Sequence, residues 1–202
     1  MQSNHIETIE DQDLVLRSQE GDLDAFNLLV ERYQRLAYNV ALRMVGDGAT
    51  AEDVTQDAFV SAYRAIGGFR GGSFKAWLLR IVTNSCRDRF RAARRARTLS
   101  LDEMLLNSPT FSPVNGSESP EEYALRRELG RVLSEGLTRL PEEQRLVVTL
   151  SDVQGLSYEE IAEVACCSLG TVKSRLNRGR ARLRDFMMQR QELLPTQYRL
   201  DK

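Results

Sequence analysis

Apolar residues recur at intervals of three and four along most of the chain, the spacing of helices that bury one face. Phe26, Leu29, Val30, Tyr33, Ala37, Val40, Ala41 and Met44 form one such stripe, and the Gly46-Asp47-Gly48 turn ends it. Val54, Ala58, Phe59, Ala62 and Ile66 mark the next helix, with Thr50 as its expected N-cap. A loop follows with glycines at 67, 68, 71 and 72 around Phe69 and Arg70. Ser73 then caps a helix carrying Phe74, Trp77, Leu78, Ile81, Val82 and Ser85. A shorter helix is expected near 13–20. Strand-like alternation is absent from this N-terminal half.

The C-terminal part opens on Ser119-Pro120-Glu121-Glu122. Ser at the cap, Pro at the first helical position and Glu at the third form a capping box. Leu125, Leu129, Val132, Leu133 and Leu137 supply the apolar stripe. Pro141 opens a second helix, expected to run through Leu150. Ser157-Tyr158-Glu159-Glu160 is another capping box, before a short helix with Ile161, Ala162 and Ala165. Ser168 caps a longer helix over about 169–187. A short helix at 158–165, a turn at 166–168 and a longer helix fit a helix-turn-helix.

Between the parts, residues 98–118 hold no Lys or Arg, and Pro, Ser, Asn and Gly crowd their second half. This reads as a linker with a short apolar contact around Leu101, Met104, Leu105 and Leu106. The pattern predicts an all-α chain of two small helical domains, at 11–97 and 120–188, joined by a flexible linker at 98–119. The two are expected to pack loosely or not at all, since linkers of this composition impose little geometry.

The chain has 202 residues, 42% hydrophobic and 28% charged. No apolar run approaches the ~18 residues that span a bilayer, and the first thirty residues lack the pattern of a secretory signal. Three cysteines, two adjacent, cannot make a disulfide framework, so a reducing cytoplasm is expected. Cys86, Cys166 and Cys167 are expected as buried small residues rather than redox or metal groups. The single His5 leaves no basis for His catalysis or a Cys/His zinc site. No Ser/His/Asp set is present, and the glycines at 67–72 lack the Lys-Ser/Thr ending of a phosphate-binding loop. No catalytic residue, metal or cofactor is expected.

The net charge of −1 hides a strong asymmetry. Residues 80–97 hold seven Arg and one Asp; residues 171–190 hold six Arg, one Lys and one Asp. Each segment is therefore +6, and the remainder carries −13. Two basic segments on an acidic body mark a polyanion partner; the competing reading of each is a solvated helix face.

On the last helix, Val172, Leu176, Gly179, Leu183 and Phe186 share one face. Lys173, Ser174, Asn177, Arg180 and Arg184 share another, flanked by Arg178. Such side chains reach base edges, Arg suiting guanine and Asn adenine, while the later Arg residues suit phosphates. The helix from Ser73 carries Arg80, Asn84, Arg87, Arg91 and Arg94 in a straight stripe about 20 Å long. A cationic track beside an aromatic loop suits single-stranded nucleic acid. Trp77 borders that stripe and reads more readily as core than as a base-stacking platform.

Three segments, AFNLLVERYQRLAYNVA, AEDVTQDAFVSAYRAIGGFRGGSFKAWLLRIVTNSCRDRFR and LPEEQRLVVTLSDVQGLSYEEIAEVACCSLGTVKSRLNRGRARLR, resemble in this order the sigma-70 family of bacterial transcription initiation factors, in particular its extracytoplasmic-function group. The resemblance covers about 11–97 and 120–188. It implies a non-enzymatic cytoplasmic factor that binds core RNA polymerase at its clamp and flap, directs it to −35 and −10 promoter elements and melts the −10 region. An anti-sigma factor is an implied further partner, without membrane insertion of the chain itself. The first domain resembles sigma domain 2. Glu52, Asp53, Gln56 and Asp57 match its clamp-facing helix, and Ala65, Phe69, Ile81 and Asn84 its pocket for a flipped −10 base. Arg80, Arg87 and Arg91 would hold the flanking strand. The second resembles sigma domain 4, with Thr171, Lys173, Ser174, Asn177, Arg178 and Arg180 at the −35 element. The acidic linker would thread through the polymerase channels. A stand-alone helix-turn-helix regulator on duplex DNA explains 120–188 but leaves the first basic helix without purpose. A recombinase needs a mixed α/β catalytic domain.

Overall fold

Asp22 starts a 23-residue helix in the N-terminal half by accepting hydrogen bonds from the Asp24 and Ala25 amides, and Gly46 ends it at φ 81°. In this computed structural model residues 10–97 and 120–190 are described, the side chains of 93–97 and 120–126 excepted. The linker with its apolar contact, Ser119 and its capping box, the Leu125 and Arg94 side chains and His5 lie outside the described residues.

Four helices build the first half: α1 (Asp11–Gln19), α2 (Leu23–Val45), α3 (Gly48–Ala65) and α4 (Phe74–Arg97). Asp47, not Thr50, caps α3: its carboxylate accepts from the Thr50 amide at 2.8 Å. The helix therefore begins three residues earlier than expected, with a carboxylate at its positive end. A 3-10 turn at Ile66–Gly68 closes α3. Gly71 and Gly72 sit at φ 94° and 90°, a backbone region that side chains resist, and carry the chain to Ser73. The Ser73 hydroxyl caps α4 through the Ala76 amide. The expected stripes face inward: Leu29, Val40 and Met44 from α2, Val54 and Ala62 from α3, and Leu78 and Val82 from α4 are fully buried.

The second half is α5 (Pro120–Thr138), α6 (Glu142–Val148), α7 (Tyr158–Ala165) and α8 (Leu169–Met188). α6 does not stop at Leu150. It continues as a π-helical turn over Thr149–Val153, with the Gln154 amide bonded to the Thr149 carbonyl. The Ser157–Glu160 capping box forms in both directions, and Ser168 caps α8 through the Thr171 amide. Val172, Leu176, Gly179 and Phe186 are buried as their spacing required. At Gly179 a Cβ would lie 2.7 Å from a Val148 methyl, so the glycine lets α8 close on α6.

The expectation of loosely associated halves does not hold. α4 packs against α7, and α2 against α5 and α6, so one buried apolar cluster runs through both halves. A Cβ at Gly46 would meet the Thr138 methyl at 2.8 Å. The Arg145 guanidinium donates to the carbonyls of Met44, Thr138 and Leu140, tying the end of α2 to the end of α5. Arg43 donates to Ser134 Oγ at 2.5 Å. The linker's composition could not foretell this, because it is set by complementary helix faces.

Candidate nucleic-acid interface

α8 presents Lys173, Ser174, Asn177 and Arg178 as exposed side chains on one side, opposite its buried stripe. Thr171 is half-buried in the first turn, its hydroxyl 2.9 Å from Ser168 Oγ. Arg178 folds back on its own helix, with Nε 3.2 Å from the Ser174 carbonyl oxygen. Arg180 is engaged by Asp152, with contacts of 2.5 and 2.9 Å. That hydrogen bond raises the guanidinium pKa further. Arg175 points away from this face and pairs with Glu143 at 2.8 Å.

On α4, Arg80, Asn84 and Arg91 are exposed, and Arg91 pairs with its helix neighbour Asp88. Arg87 differs: its side chain is 22% exposed and bonds to Glu142 and Glu143 at 3.0 and 2.9 Å. Phe69 is half-buried, edge-on to Trp77 with ring centroids 5.3 Å apart, and Trp77 packs in turn on Phe74. The Gln19 amide pins this loop by donating to the Ile66 and Phe69 carbonyls at 2.9 and 2.8 Å. Trp77 is thus part of an aromatic cluster at the edge of the core. Ala65 is exposed and Ile81 half-buried. A cavity of about 530 Å3 beside Phe69 is lined by Asp11, Tyr33, Phe74, Lys75 and Glu160, while Ala65, Ile81 and Asn84 lie outside its lining.

The α3 quartet divides into two rows. Glu52 and Gln56 line a groove of about 740 Å3 with Val30, Arg35, Tyr38 and Val60. Asp53 and Asp57 are exposed beside it, and Asp53 pairs with Arg89 at 2.6 Å. The groove's α2 wall was not foreseen in the sequence. On the α3 wall, Val60 is 44% exposed and out of phase with the buried stripe. Among the cysteines, Cys86 is fully buried, and burial pushes its thiol up to about 12. Cys166 departs from expectation. It is exposed and takes the left-handed conformation (φ 50°) that ends α7, so the turn geometry points its side chain outward.

Comparison with known proteins gives the same two-part division. The family model described as Sigma-70 region 2 matches residues 29–96, and that for Sigma-70, region 4 matches residues 131–183. The RNA polymerase sigma-H factor of Pseudomonas aeruginosa is 42% identical over 85% of this chain and 90% of its own. The ECF RNA polymerase sigma-E factor of Escherichia coli K12 is 40% identical over 86% of this chain and 92% of its own. The chain belongs to the extracytoplasmic-function group of the sigma-70 family. Its function is therefore that of a sigma factor, in transcription initiation. The structure of CnrH in complex with the cytosolic domain of CnrY matches at TM-score 0.62 and 29% identity, covering 88% of this sigma factor and 96% of that chain. Among the described residues no helix is long and apolar enough to cross a membrane.

Three features of this sigma factor escaped the sequence reading: the acid pair Glu142 and Glu143 on Arg87, Asp152 on Arg180, and Arg145 between the halves. Each joins residues at least 28 positions apart except the Thr138 and Leu140 contacts of Arg145, so no local pattern reports them.

Proposed function

We propose that this sigma factor seats the α2–α3 groove on the clamp of core RNA polymerase, reads the −35 element with α8 and holds the melted −10 strand along α4. The observation that carries this is the open polar face of Lys173, Ser174, Asn177 and Arg178 on a capped helix-turn-helix, in one chain with the exposed Arg80 and Asn84. A stand-alone duplex-binding regulator would leave the groove and the α4 stripe without use. CnrH is bound to the cytosolic domain of CnrY in its solved structure, which supports an anti-sigma partner of that kind here. A non-enzymatic role and a cytoplasmic location belong to the same reading. The direct test is co-purification with core polymerase followed by promoter-dependent transcription in vitro; failure to bind the core sinks the reading.

For the groove, Glu52→Lys with Val60→Asp is expected to weaken holoenzyme assembly at least tenfold. The unfolding midpoint should barely move, because exposed changes usually cost less than ~0.5 kcal/mol. Unchanged affinity by fluorescence titration would remove the groove from the contact. Asp53→Lys with Asp57→Lys tests the outer row, and the half-exposed Arg89 pair contributes little to folding.

On α8, Arg178→Ala is expected to cost ~1–3 kcal/mol at one −35 position and relax its base preference, as loss of a bidentate guanine contact would. Lys173→Ala should weaken all promoters alike and lower the salt slope by about one. Competition binding with singly substituted −35 duplexes separates the two roles.

A further inference from the structure

Arg180 stands in line with Lys173 and Asn177 on α8, at spacings of seven and three residues, in a row about 10 Å long. Lys173 and Asn177 are exposed and, among the described residues, carry no ion pair or side-chain hydrogen bond. Arg180 is exposed too, yet another element holds it. Asp152 takes its Nε and Nη2 in a two-pronged contact of 2.9 and 2.5 Å, and Ser151 Oγ lies 3.4 Å from Nη2. Tyr158, in the first turn of α7, also reaches the guanidinium. Nη1 takes no part in the bonds to Asp152 and Ser151. Asp152 and Ser151 belong to the π-helical turn Thr149–Val153, whose wider winding sets their direction. That turn is kept at a cost, since Thr149 Oγ1 within it is buried with no hydrogen-bond partner among the described residues. The pair itself adds little to folding: the Arg180 and Asp152 side chains are 44% and 35% exposed, and solvent screens them.

A carboxylate on one edge of a guanidinium does two things. It fixes the plane of the fork, so the other edge is aimed before DNA arrives and less rotamer freedom is lost on contact. It also offsets the charge, so the arginine adds direction to binding rather than general attraction. We propose that Asp152 is a positioning residue for −35 recognition: without touching a base, it presents Arg180 through Nη1 to a backbone phosphate of the −35 duplex, and so fixes the register in which Ser174, Asn177 and Arg178 meet base edges. The inference rests on the function proposed above and deepens it by naming a residue that sets specificity. Arg180 lies three turns into α8, beyond the N-terminal residues with which a recognition helix reads bases, where contacts pass to the backbone. A phosphate contact carries no sequence information itself, but it sets the register and orientation of the helix that does the reading. Left unpaired, the same arginine would take any phosphate within reach, and the protein would bind DNA more tightly and choose less well.

The test uses the full chain assembled with core RNA polymerase. One probe is a duplex that the parent holoenzyme selects from a library randomised across the −35 region; the other is the same duplex with its −35 bases scrambled. Asp152→Ala is expected to bind the scrambled duplex about threefold tighter, with a salt slope steeper by up to ~0.9, the value of one further cation on duplex phosphate. Its preference for the selected duplex over the scrambled one should fall by roughly fivefold or more. Asp152→Glu keeps the carboxylate and should recover most of that preference. Arg180→Ala should lose preference as well, and adding Asp152→Ala to it should change the preference no further, within about twofold. Glu159→Ala removes an exposed acid of α7 as a charge control and should tighten both duplexes alike. Tighter binding of both duplexes by Asp152→Ala with unchanged preference overturns the inference, because the carboxylate then only repels DNA. Equal weakening on both overturns it too, because the π turn then only supports the fold. So does a further loss of preference on the Arg180→Ala background, which would place the effect outside this pair. Failure of the sigma reading looks different: the parent holoenzyme would not form or would select no −35 sequence, and the inference would fall with it.

Discussion

Asn84→Ala is expected to slow open-complex formation ten- to a hundredfold on a duplex promoter while leaving polymerase affinity and −35 binding unchanged. Asn84 is exposed on α4, and among the described residues no side-chain hydrogen bond uses its amide. Its loss therefore costs the fold less than ~0.5 kcal/mol. On the proposed function, that amide would offer a donor and an acceptor to an extruded base in the open complex. Losing such a contact costs ~1–3 kcal/mol, and each ~1.4 kcal/mol is tenfold in rate. Phe69 needs gentler treatment. It packs on Trp77 and Phe74, so Phe69→Ala would loosen the aromatic cluster and confuse extrusion with folding. Phe69→Leu keeps the volume and removes the flat ring. With the −10 region already unpaired in a bubble template, the Phe69→Leu defect should largely disappear and the Asn84→Ala defect persist. Permanganate reactivity of unpaired thymines measures both. Opening at the parent rate by Asn84→Ala would move base reading away from this helix.

Arg145→Ala is expected to destabilise the chain by about 2–4 kcal/mol. The guanidinium is buried, and its donors serve the carbonyls of Met44, Thr138 and Leu140. Two of those carbonyls lie at or near the last turns of α2 and α5, where a cation also meets the negative helix ends. Alanine leaves the acceptors unpaired in a dry interface, at ~1–3 kcal/mol for each that water cannot reach. Burial pulls the Arg145 pKa down from its ordinary value, so the protein holds this cation at some cost and relies on the three carbonyls to offset it. Arg145→Lys should recover only part of the loss, because a single ammonium cannot span acceptors on two helices. Urea unfolding gives the difference directly. A change below 0.5 kcal/mol would show that water replaces the guanidinium without penalty.

Much of this protein was legible in its sequence, for local reasons. Helix caps act over three residues, so Ser73, Ser157 and Ser168 announced their helices before any packing was known. The buried stripes follow the helical period, and Val172, Leu176, Gly179 and Phe186 assign the opposite face of α8 to solvent. The composition of residues 98–118 carried the division into two domains, and the family resemblance carried the candidate contacts with polymerase and promoter. Errors of local reading were small: Asp47 outcompeted Thr50 because its carboxylate already reached the Thr50 amide, and a π turn carried α6 past Leu150. Only the tertiary structure decided which charges are available. Arg80 and Arg87 are equivalent on a helical wheel, yet one is open and the other is held by Glu142 and Glu143, 55 and 56 residues away. Arg180 likewise meets Asp152, and Arg145 meets Met44 across 101 positions. A helical period tells which way a side chain points. It does not tell what stands opposite, because that depends on the complementary surfaces of helices brought together from both ends of the chain.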